Sequence, residues 1–240
     1  MIKNIVIITF CMINLNATEY INFGKFTADN SIFKQQNIQK LTSKFLDIQY
    51  VANTMDNDAI NTANEKLVID FDALDCFTFI DTIEALKLSQ TKQEFKKKLI
   101  QTRYKDAEIS YFNRNHFFSD WVAYNEVKDI TCTLGQCKTT TKFLNKDEKY
   151  LKQIPTVKRD ISYISSNKID ISLLNSGDYI GIYTDKKALD VTHTGVIIKK
   201  HGKVFIRHAS SLEKKVIDSE LYEYTKDKIG VIVYRSSVSS

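Results

Sequence analysis

The spacing of apolar residues predicts a helix in the middle of the chain. Asp75 is a good N-cap residue, so the helix should begin at Cys76 and continue to about Leu88. Apolar side chains follow Cys76 at three, four, seven and ten positions, which is the spacing of one helix face. The cysteine therefore shares the buried stripe and should point toward whatever the helix covers.

Two kinds of pattern divide the rest of the chain. The middle predicts further helices over 91–101 and 117–125, and residues 26–46 predict one or two polar helices. The C-terminal third instead predicts strands, at 179–184, 191–200, 204–210 and 229–234. This segregation indicates an α+β fold, with a helix packed on an antiparallel sheet. We expect residues 18–240 to form a single catalytic domain with a helical N-terminal extension.

A tight hairpin is predicted near residue 201. His201 and Gly202 suit a two-residue turn, because glycine readily adopts a positive φ. Such a turn would place Lys200 opposite Lys203 and would fix the register of both strands.

That register would bring two histidines together. Ile197 would face Ile206, and His193 and His208 would lie on the same sheet face, roughly 5–8 Å apart as diagonal neighbours. We expect the helix of Cys76 to cover this face, so that its thiol meets both imidazoles.

The N-terminus has the pattern of a secretory signal peptide. Lys3 precedes an apolar run over residues 5–13, and Ala17 offers a small residue for cleavage, so residues 1–17 are predicted to be removed. The alternative is a buried N-terminal strand. No later apolar stretch approaches 18 residues, so we expect a periplasmic or secreted protein without stable membrane insertion. The net charge of +5 comes without any RNA- or DNA-binding motif, so no nucleic-acid partner is expected.

Export would make the cysteine count informative. Cleavage after Ala17 leaves Cys76, Cys132 and Cys137, and an odd number in an oxidising compartment leaves at least one free thiol. Cys132 and Cys137 are close enough in sequence to pair with each other. Cys76 would then be a free thiol and a candidate nucleophile.

Together these three side chains favour a cysteine hydrolase. Cys76 would attack an amide, His193 would act as general base, and His208 would hold His193 in the required orientation. We expect the helix N-terminus and a neighbouring imidazolium to lower the pKa of the thiol. This chemistry requires no cofactor and no metal. A zinc site built from the same three residues is the alternative.

Several blocks of the sequence resemble known families. The three blocks 74–79, 193–197 and 206–210 resemble those of the NlpC/P60 cysteine peptidases, which are papain-like enzymes with a Cys-His-His triad. Three further blocks, at 50–54, 114–121 and 189–195, resemble the DUF1460 branch, the N-acetylmuramoyl-L-alanine amidase-like family. The resemblance extends in the same order over roughly residues 40–235.

The resemblance implies a papain-like fold and a peptidoglycan or muropeptide substrate. It places Tyr50 beside the nucleophile, near the oxyanion. It also implies that Arg114, His116, Asp120 and Trp121 line the substrate groove. From the residues alone, a tryptophan on a helix such as Trp121 more often belongs to the core than to a sugar platform, and the other three residues could form a buried polar network. Residues 47–49 replace a turn expected before Tyr50, and residues 132–142 have no counterpart in the family pattern.

The closer resemblance implies cleavage of the amide between N-acetylmuramic acid and L-Ala, including that of released 1,6-anhydro-muropeptides. An alternative keeps the fold but cleaves between D-Glu and the diamino acid of the stem peptide. A non-catalytic wall-binding module is the alternative from another class, although the complete set of Cys76, His193 and His208 argues against it. We expect a monomer.

Overall fold

The computed structural model describes residues 19–61 and 65–237, so the predicted signal peptide over 1–17 lies outside the described residues. Five α-helices are described: α1 Ile38–Ser43, α2 Cys76–Lys87, α3 Lys92–Arg103, α4 Phe118–Tyr124 and α5 Leu221–Thr225. The strands of the first half are β1 Glu19–Asn22, β2 Gln49–Tyr50, β3 Leu67–Asp70, β4 Ala73–Leu74 and β5 Val127–Asp129. Those of the second half are β6 Lys138–Leu144, β7 Val157–Tyr163, β8 Tyr179–Tyr183, β9 Val191–Lys200, β10 Lys203–Ser210, β11 Lys215–Glu220 and β12 Gly230–Ser236.

An eight-stranded sheet forms the centre of the fold. Its strand order is β4-β2-β11-β10-β9-β8-β12-β5, and its ladders are antiparallel except for the parallel pair β2–β4. The α+β class is confirmed, but the sheet is mixed rather than purely antiparallel. Two smaller sheets, β1–β3 and β6–β7, stand apart from it.

Helix α2 begins at Cys76, as its sequence predicts. The Asp75 carboxylate accepts a hydrogen bond from the Thr78 N–H at 2.8 Å. The Thr78 hydroxyl in turn accepts one from the Asp75 N–H at 2.9 Å. This reciprocal capping box satisfies two backbone donors and fixes where the helix starts. The cysteine is therefore held at the first helical position.

The β9–β10 hairpin has the predicted register. Lys203 pairs with Lys200, and Ile206 pairs with Ile197. Gly202 in the turn has a φ of +74°, a left-handed conformation that glycine adopts without steric cost.

Helix α2 covers the opposite sheet face from the one expected. It packs on β9 and β10 in a core cluster with Val196, Ile198 and Ala209. Ile197 and Ile206 belong instead to a second cluster, which includes Leu221 of α5. The expectation was wrong because successive strand residues point to opposite faces and both faces of this sheet are buried.

The sheet must curl to bring its ends together. Three strands lie between β4 and β9, which in a flat sheet would separate them by about 19 Å. Cys76 follows β4 by two residues, yet its carbonyl oxygen lies 2.8 Å from the Thr194 hydroxyl of β9. The sheet therefore wraps around the N-terminal end of α2.

Among the elements that the sequence did not predict are β7, β11 and α5. The predicted N-terminal helices form only in part, as α1 and two short 3₁₀ turns at Gly24–Phe26 and Asn30–Lys34. They are not wholly polar, because Phe26, Phe33 and Leu41 join the same core cluster as α2. Cys132 and Cys137 form a disulfide, which leaves Cys76 as the free cysteine among the described residues. Within the described ranges, no helix is long and apolar enough to cross a membrane.

Gly195 gives a test of the packing between β9 and β10. A Cβ at this position would lie 2.7 Å from Cγ1 of Ile206 and 2.8 Å from the carbonyl oxygen of Arg207. Because backbone cannot yield cheaply, Gly195→Ala should destabilise the protein by about 1–3 kcal/mol in denaturant unfolding. Thr192→Ala, at an exposed position of the same strand, is the control. Equal unfolding midpoints for the two variants would contradict the described contact.

Candidate active site

Cys76 is held against the strand that carries His193. Its carbonyl oxygen accepts a hydrogen bond from the hydroxyl of Thr194, the residue after His193, at 2.8 Å. The thiol is half-buried at the start of α2. The backbone N–H of Cys76 is among the first helical donors, which have no partner within the helix. The site thus places a sulfur and the first backbone N–H of the helix beside the start of β9.

Burial raises the pKa of the Cys76 thiol to about 11. The negative charge of Asp75 adds to this, and the nearby hydroxyl and N–H of Thr194 offset only part of it. The sequence-based expectation of a lowered thiol pKa is therefore wrong for the unliganded protein. Removal from water disfavours the thiolate more than the helix N-terminus favours it. At neutral pH Cys76 is therefore a neutral thiol.

The two histidines form a hydrogen-bonded pair. Nε2 of His193 lies 2.7 Å from Nδ1 of His208, and the two rings are nearly perpendicular. Nε2 of His208 lies 3.1 Å from the hydroxyl oxygen of Ser219. With its proton on Nε2, His193 donates to His208, and His208 donates to Ser219. Nδ1 of His193 is then the ring nitrogen that carries no proton.

Both imidazoles are neutral near pH 7. Burial lowers the pKa of His193 to about 3, with smaller contributions from the positive charges of His208 and Lys228. Burial also lowers the pKa of His208 to about 4, against the opposing charge of Asp218. The site therefore pairs a neutral thiol with a neutral base rather than a thiolate with an imidazolium.

A buried ion pair supports the strands behind His208. Arg207 donates two hydrogen bonds to the carboxylate of Asp218, at 2.6 and 2.7 Å, across the β10–β11 ladder. Lys200 adds a third contact to the same carboxylate at 2.6 Å. Bidentate pairing of this kind adds geometric specificity as well as energy. It fixes β10 and β11, and thereby the positions of His208 and Ser219.

The zinc alternative is not supported by the arrangement of the side chains. In the part of the chain that the structure describes, no group of three His, Cys, Asp or Glu side chains is placed to hold a metal ion. His193 and His208 each direct a ring nitrogen at the other instead of at a common point.

Tyr50 lies near the nucleophile. It ends β2, and its pKa is raised by burial and then by the negative charges of Cys76 and Asp75. The Nζ atom of Lys214 lies 5.9 Å from the centre of its ring. Of the five residues expected to bind substrate, Tyr50 is the one whose pKa is raised by the charge of Cys76.

Arg114 is part of a buried network rather than of an open groove. It donates to Glu65 at 2.8 Å and to the carbonyl oxygen of Asp56 at 2.6 Å. The Tyr104 hydroxyl donates to the same Glu65 oxygen at 2.5 Å. These bonds tie the segment after β2 to the segment after α3. As the structure places it, Arg114 holds backbone in position.

His116 and Trp121 are also enclosed by protein. The His116 ring nitrogen Nε2 lies 2.8 Å from the carbonyl oxygen of Tyr111, and burial lowers the His116 pKa to about 4. The Trp121 ring is fully buried and packs edge-on against Tyr179, with centroids 4.8 Å apart. The Trp121 ring therefore offers no face to a sugar in this structure, whereas His116 is half-buried.

Asp120 caps helix α4. Its carboxylate accepts from the backbone N–H of Phe117 at 3.1 Å and from Arg159 at 3.2 Å. Burial nevertheless raises the pKa of this carboxyl. The side chains of the Arg114–Trp121 block therefore make contacts within the protein. This arrangement argues against direct contact between its four candidate side chains and a substrate.

Sequence reasoning missed three residues that complete the site: Thr194, Ser219 and Tyr224. The Tyr224 ring lies 4.7 Å from the His208 ring and 6.1 Å from the His193 ring, measured between centroids. Ser219 and Tyr224 lie on β11 and α5, two short elements without a strong apolar period. A prediction of β11 as the strand after β10 would have placed Ser219 near His208, because Ser219 pairs with Ile206.

Asp75 gives a test of the electrostatics at the thiol. Asparagine caps helices about as well as aspartate but carries no charge, so Asp75→Asn should keep α2 and lower the pKa of Cys76. We expect iodoacetamide to alkylate Cys76 severalfold faster at pH 8 in this variant. Asp75→Ala, which removes the cap, should in addition cost about 1 kcal/mol of stability. Unchanged or slower alkylation of Asp75→Asn would contradict the assigned role of the carboxylate.

Comparison with known proteins supports the fold and identifies the family. A family model described as AmiA-like, N-acetylmuramoyl-L-alanine amidase-like, matches residues 40–231. No protein with a curated description matches the chain.

Solved structures match over most of the chain. An N-acetylmuramoyl-L-alanine amidase from Bacteroides uniformis ATCC 8492 is 27% identical with a TM-score of 0.72, covering 87% of this chain and 100% of that one. A second such amidase structure from the same organism is 26% identical with a TM-score of 0.70, covering 84% and 99%. A Legionella pneumophila protein of the DUF1460 family shares the fold at 24% identity and a TM-score of 0.72, covering 86% and 93%. The chain belongs to the N-acetylmuramoyl-L-alanine amidase-like family.

Proposed function

We propose that this protein is a cysteine amidase of peptidoglycan, with NlpC/P60-type chemistry, that cleaves the amide between N-acetylmuramic acid and L-Ala. One observation carries the catalytic part of the proposal. The start of helix α2, with Cys76, is bonded to β9 one residue from His193, and His193 begins a hydrogen-bonded chain through His208 to Ser219. A nucleophile, a base and an orienting partner are the groups that acyl transfer requires.

The first half of the reaction forms a thioester. The sulfur of Cys76 attacks the carbonyl carbon of the lactyl group while Nδ1 of His193 takes the thiol proton. The carbonyl oxygen becomes negative and accepts hydrogen bonds from the N–H of Cys76 and the hydroxyl of Tyr50. The C–N bond then breaks, and His193 returns the proton to the leaving amine of L-Ala.

The second half releases the sugar. His193 removes a proton from water, and the hydroxide oxygen attacks the thioester carbonyl carbon. The C–S bond breaks, the lactyl group leaves as a carboxylic acid, and the sulfur regains its proton from His193. His208 stabilises the imidazolium that forms twice in this cycle by accepting from Nε2, and Ser219 accepts from His208 in turn.

The choice of substrate and bond rests on the family. The related Bacteroides uniformis proteins are named N-acetylmuramoyl-L-alanine amidases, and the physical argument by itself gives only amide hydrolysis by a thiol. Released 1,6-anhydro-muropeptides are included in the proposal. A wall substrate fits an extracellular or periplasmic protein, and we propose that residues 1–17 direct export.

The identity of the products tests the proposal. Purified protein incubated with a defined muropeptide should release a free peptide that begins with L-Ala, together with the unsubstituted sugar, as seen by mass spectrometry. Cys76→Ala should abolish release, and His193→Ala should reduce kcat by roughly 10²–10⁴-fold. His201→Ala changes an exposed histidine in the hairpin turn and should retain full activity.

Other products would identify other functions. Release of the sugar bearing L-Ala-D-Glu would favour the endopeptidase. Binding of muropeptide without any product, in both wild type and Cys76→Ala, would favour the wall-binding module.

The lowered histidine pKa values predict the pH dependence. A base with a pKa of about 3 remains neutral until the pH approaches that value. Protonation should therefore inactivate the enzyme only well below pH 5, and kcat/KM should be nearly constant between pH 5 and 8. Circular dichroism at each pH controls for unfolding. A fall of tenfold between pH 7 and 5.5 in the folded protein would contradict a desolvated base.

A further inference from the structure

Tyr224 lies on the histidine side of the sheet. It belongs to α5, which packs on β10 and β11 and buries Leu221 in the cluster that contains Ile197 and Ile206. The half-buried Tyr224 ring packs against the His208 ring at a centroid distance of 4.7 Å. Its ring is therefore fixed by the same strands that fix the histidine pair.

The Tyr224 hydroxyl has no hydrogen-bond partner among the described residues, unlike the buried hydroxyls of Tyr104 and Tyr179. Tyr104 donates to Glu65 at 2.5 Å, and Tyr179 donates to Glu84 at 2.6 Å. A half-buried hydroxyl without a protein partner is available to a ligand. A bound ligand that covered this hydroxyl without pairing with it would cost free energy.

Tyr224 also lies beside His193, and Cys76 is hydrogen-bonded to the residue that follows His193 on β9. Burial, followed by the negative charge on Cys76, raises the pKa of Tyr224 to about 12. The same charge raises the pKa of Tyr50, which lies on β2. Two phenols, from elements far apart in sequence, therefore both interact electrostatically with an ionised Cys76. Both remain protonated at neutral pH and can act only as neutral donors or acceptors.

We propose that Tyr224 is a further catalytic residue, whose hydroxyl donates a hydrogen bond to the negative charge that forms at Cys76. This charge forms on the sulfur as the thiol loses its proton, and during attack it moves to the carbonyl oxygen of the substrate. Tyr224 would act from the α5 side, next to the histidines. The proposal extends the proposed function, on which its kinetic consequence rests, but its effect on the thiol is independent of the substrate.

The test compares Tyr224→Phe with Tyr222→Phe. The phenylalanine at 224 keeps the ring packed on His208 and removes only the oxygen. Tyr222 lies on the same helix with 57% of its surface exposed and provides the matched control. Thermal unfolding should show that both variants are folded.

Two readouts are expected to change in Tyr224→Phe alone. Iodoacetamide should alkylate Cys76 roughly three- to tenfold more slowly at pH 8, because loss of one donor makes the thiolate rarer. The value of kcat/KM with muropeptide should fall roughly tenfold or more. Alkylation at the wild-type rate would overturn the proposal, and so would an unchanged kcat/KM in an active enzyme.

The two hypotheses fail in different ways. Were wild type inactive on muropeptides, the proposed function would fail, and the alkylation rates would still decide the role of Tyr224. Were wild type active and Tyr224→Phe unaltered in both readouts, only the role of Tyr224 would fail.

Discussion

The register of the β9–β10 hairpin is the constraint on which the site depends. Since side chains alternate between faces, a slip of one residue would move His193 or His208 to the other side of the sheet. The turn at His201 and Gly202 sets this register, and the Ile197–Ile206 pair maintains it. The Arg207–Asp218 pair then locks β11 beside β10. The base, its partner Ser219 and the ring of Tyr224 all follow from these pairings.

Burial shifts the pKa values of Cys76 and His193 in opposite directions, but both shifts have the same consequence. It raises the pKa of Cys76 and lowers that of His193, so both groups are neutral before substrate binds. A thiolate–imidazolium pair would need strong local stabilisation, and the charge of Asp75 opposes it. In the proposed reaction, proton transfer would therefore accompany attack, and donors near the sulfur would stabilise charge only as it forms.

Local signals in the sequence predicted local structure well. The start of α2 follows from Asp75 and the helical spacing, and the hairpin follows from its turn and alternation. The face that α2 covers could not be predicted, because the run Val196-Ile197-Ile198 is apolar on both faces. The thiol pKa was mispredicted because it depends on how deeply the folded chain encloses the sulfur.

The Arg114–Trp121 block shows a further limit of sequence reasoning. Its residue types suit a sugar- and peptide-binding groove, yet Arg114 pairs with Glu65, a residue 49 positions away. Local spacing gives no indication of that pairing, which decides whether a guanidinium faces a ligand or the interior. In this fold it faces the interior and anchors the chain between β2 and β3, the same chain in which Thr54 reaches the α2 cap. The block thus holds the chain that contacts the start of α2, a role that its residue types alone do not indicate.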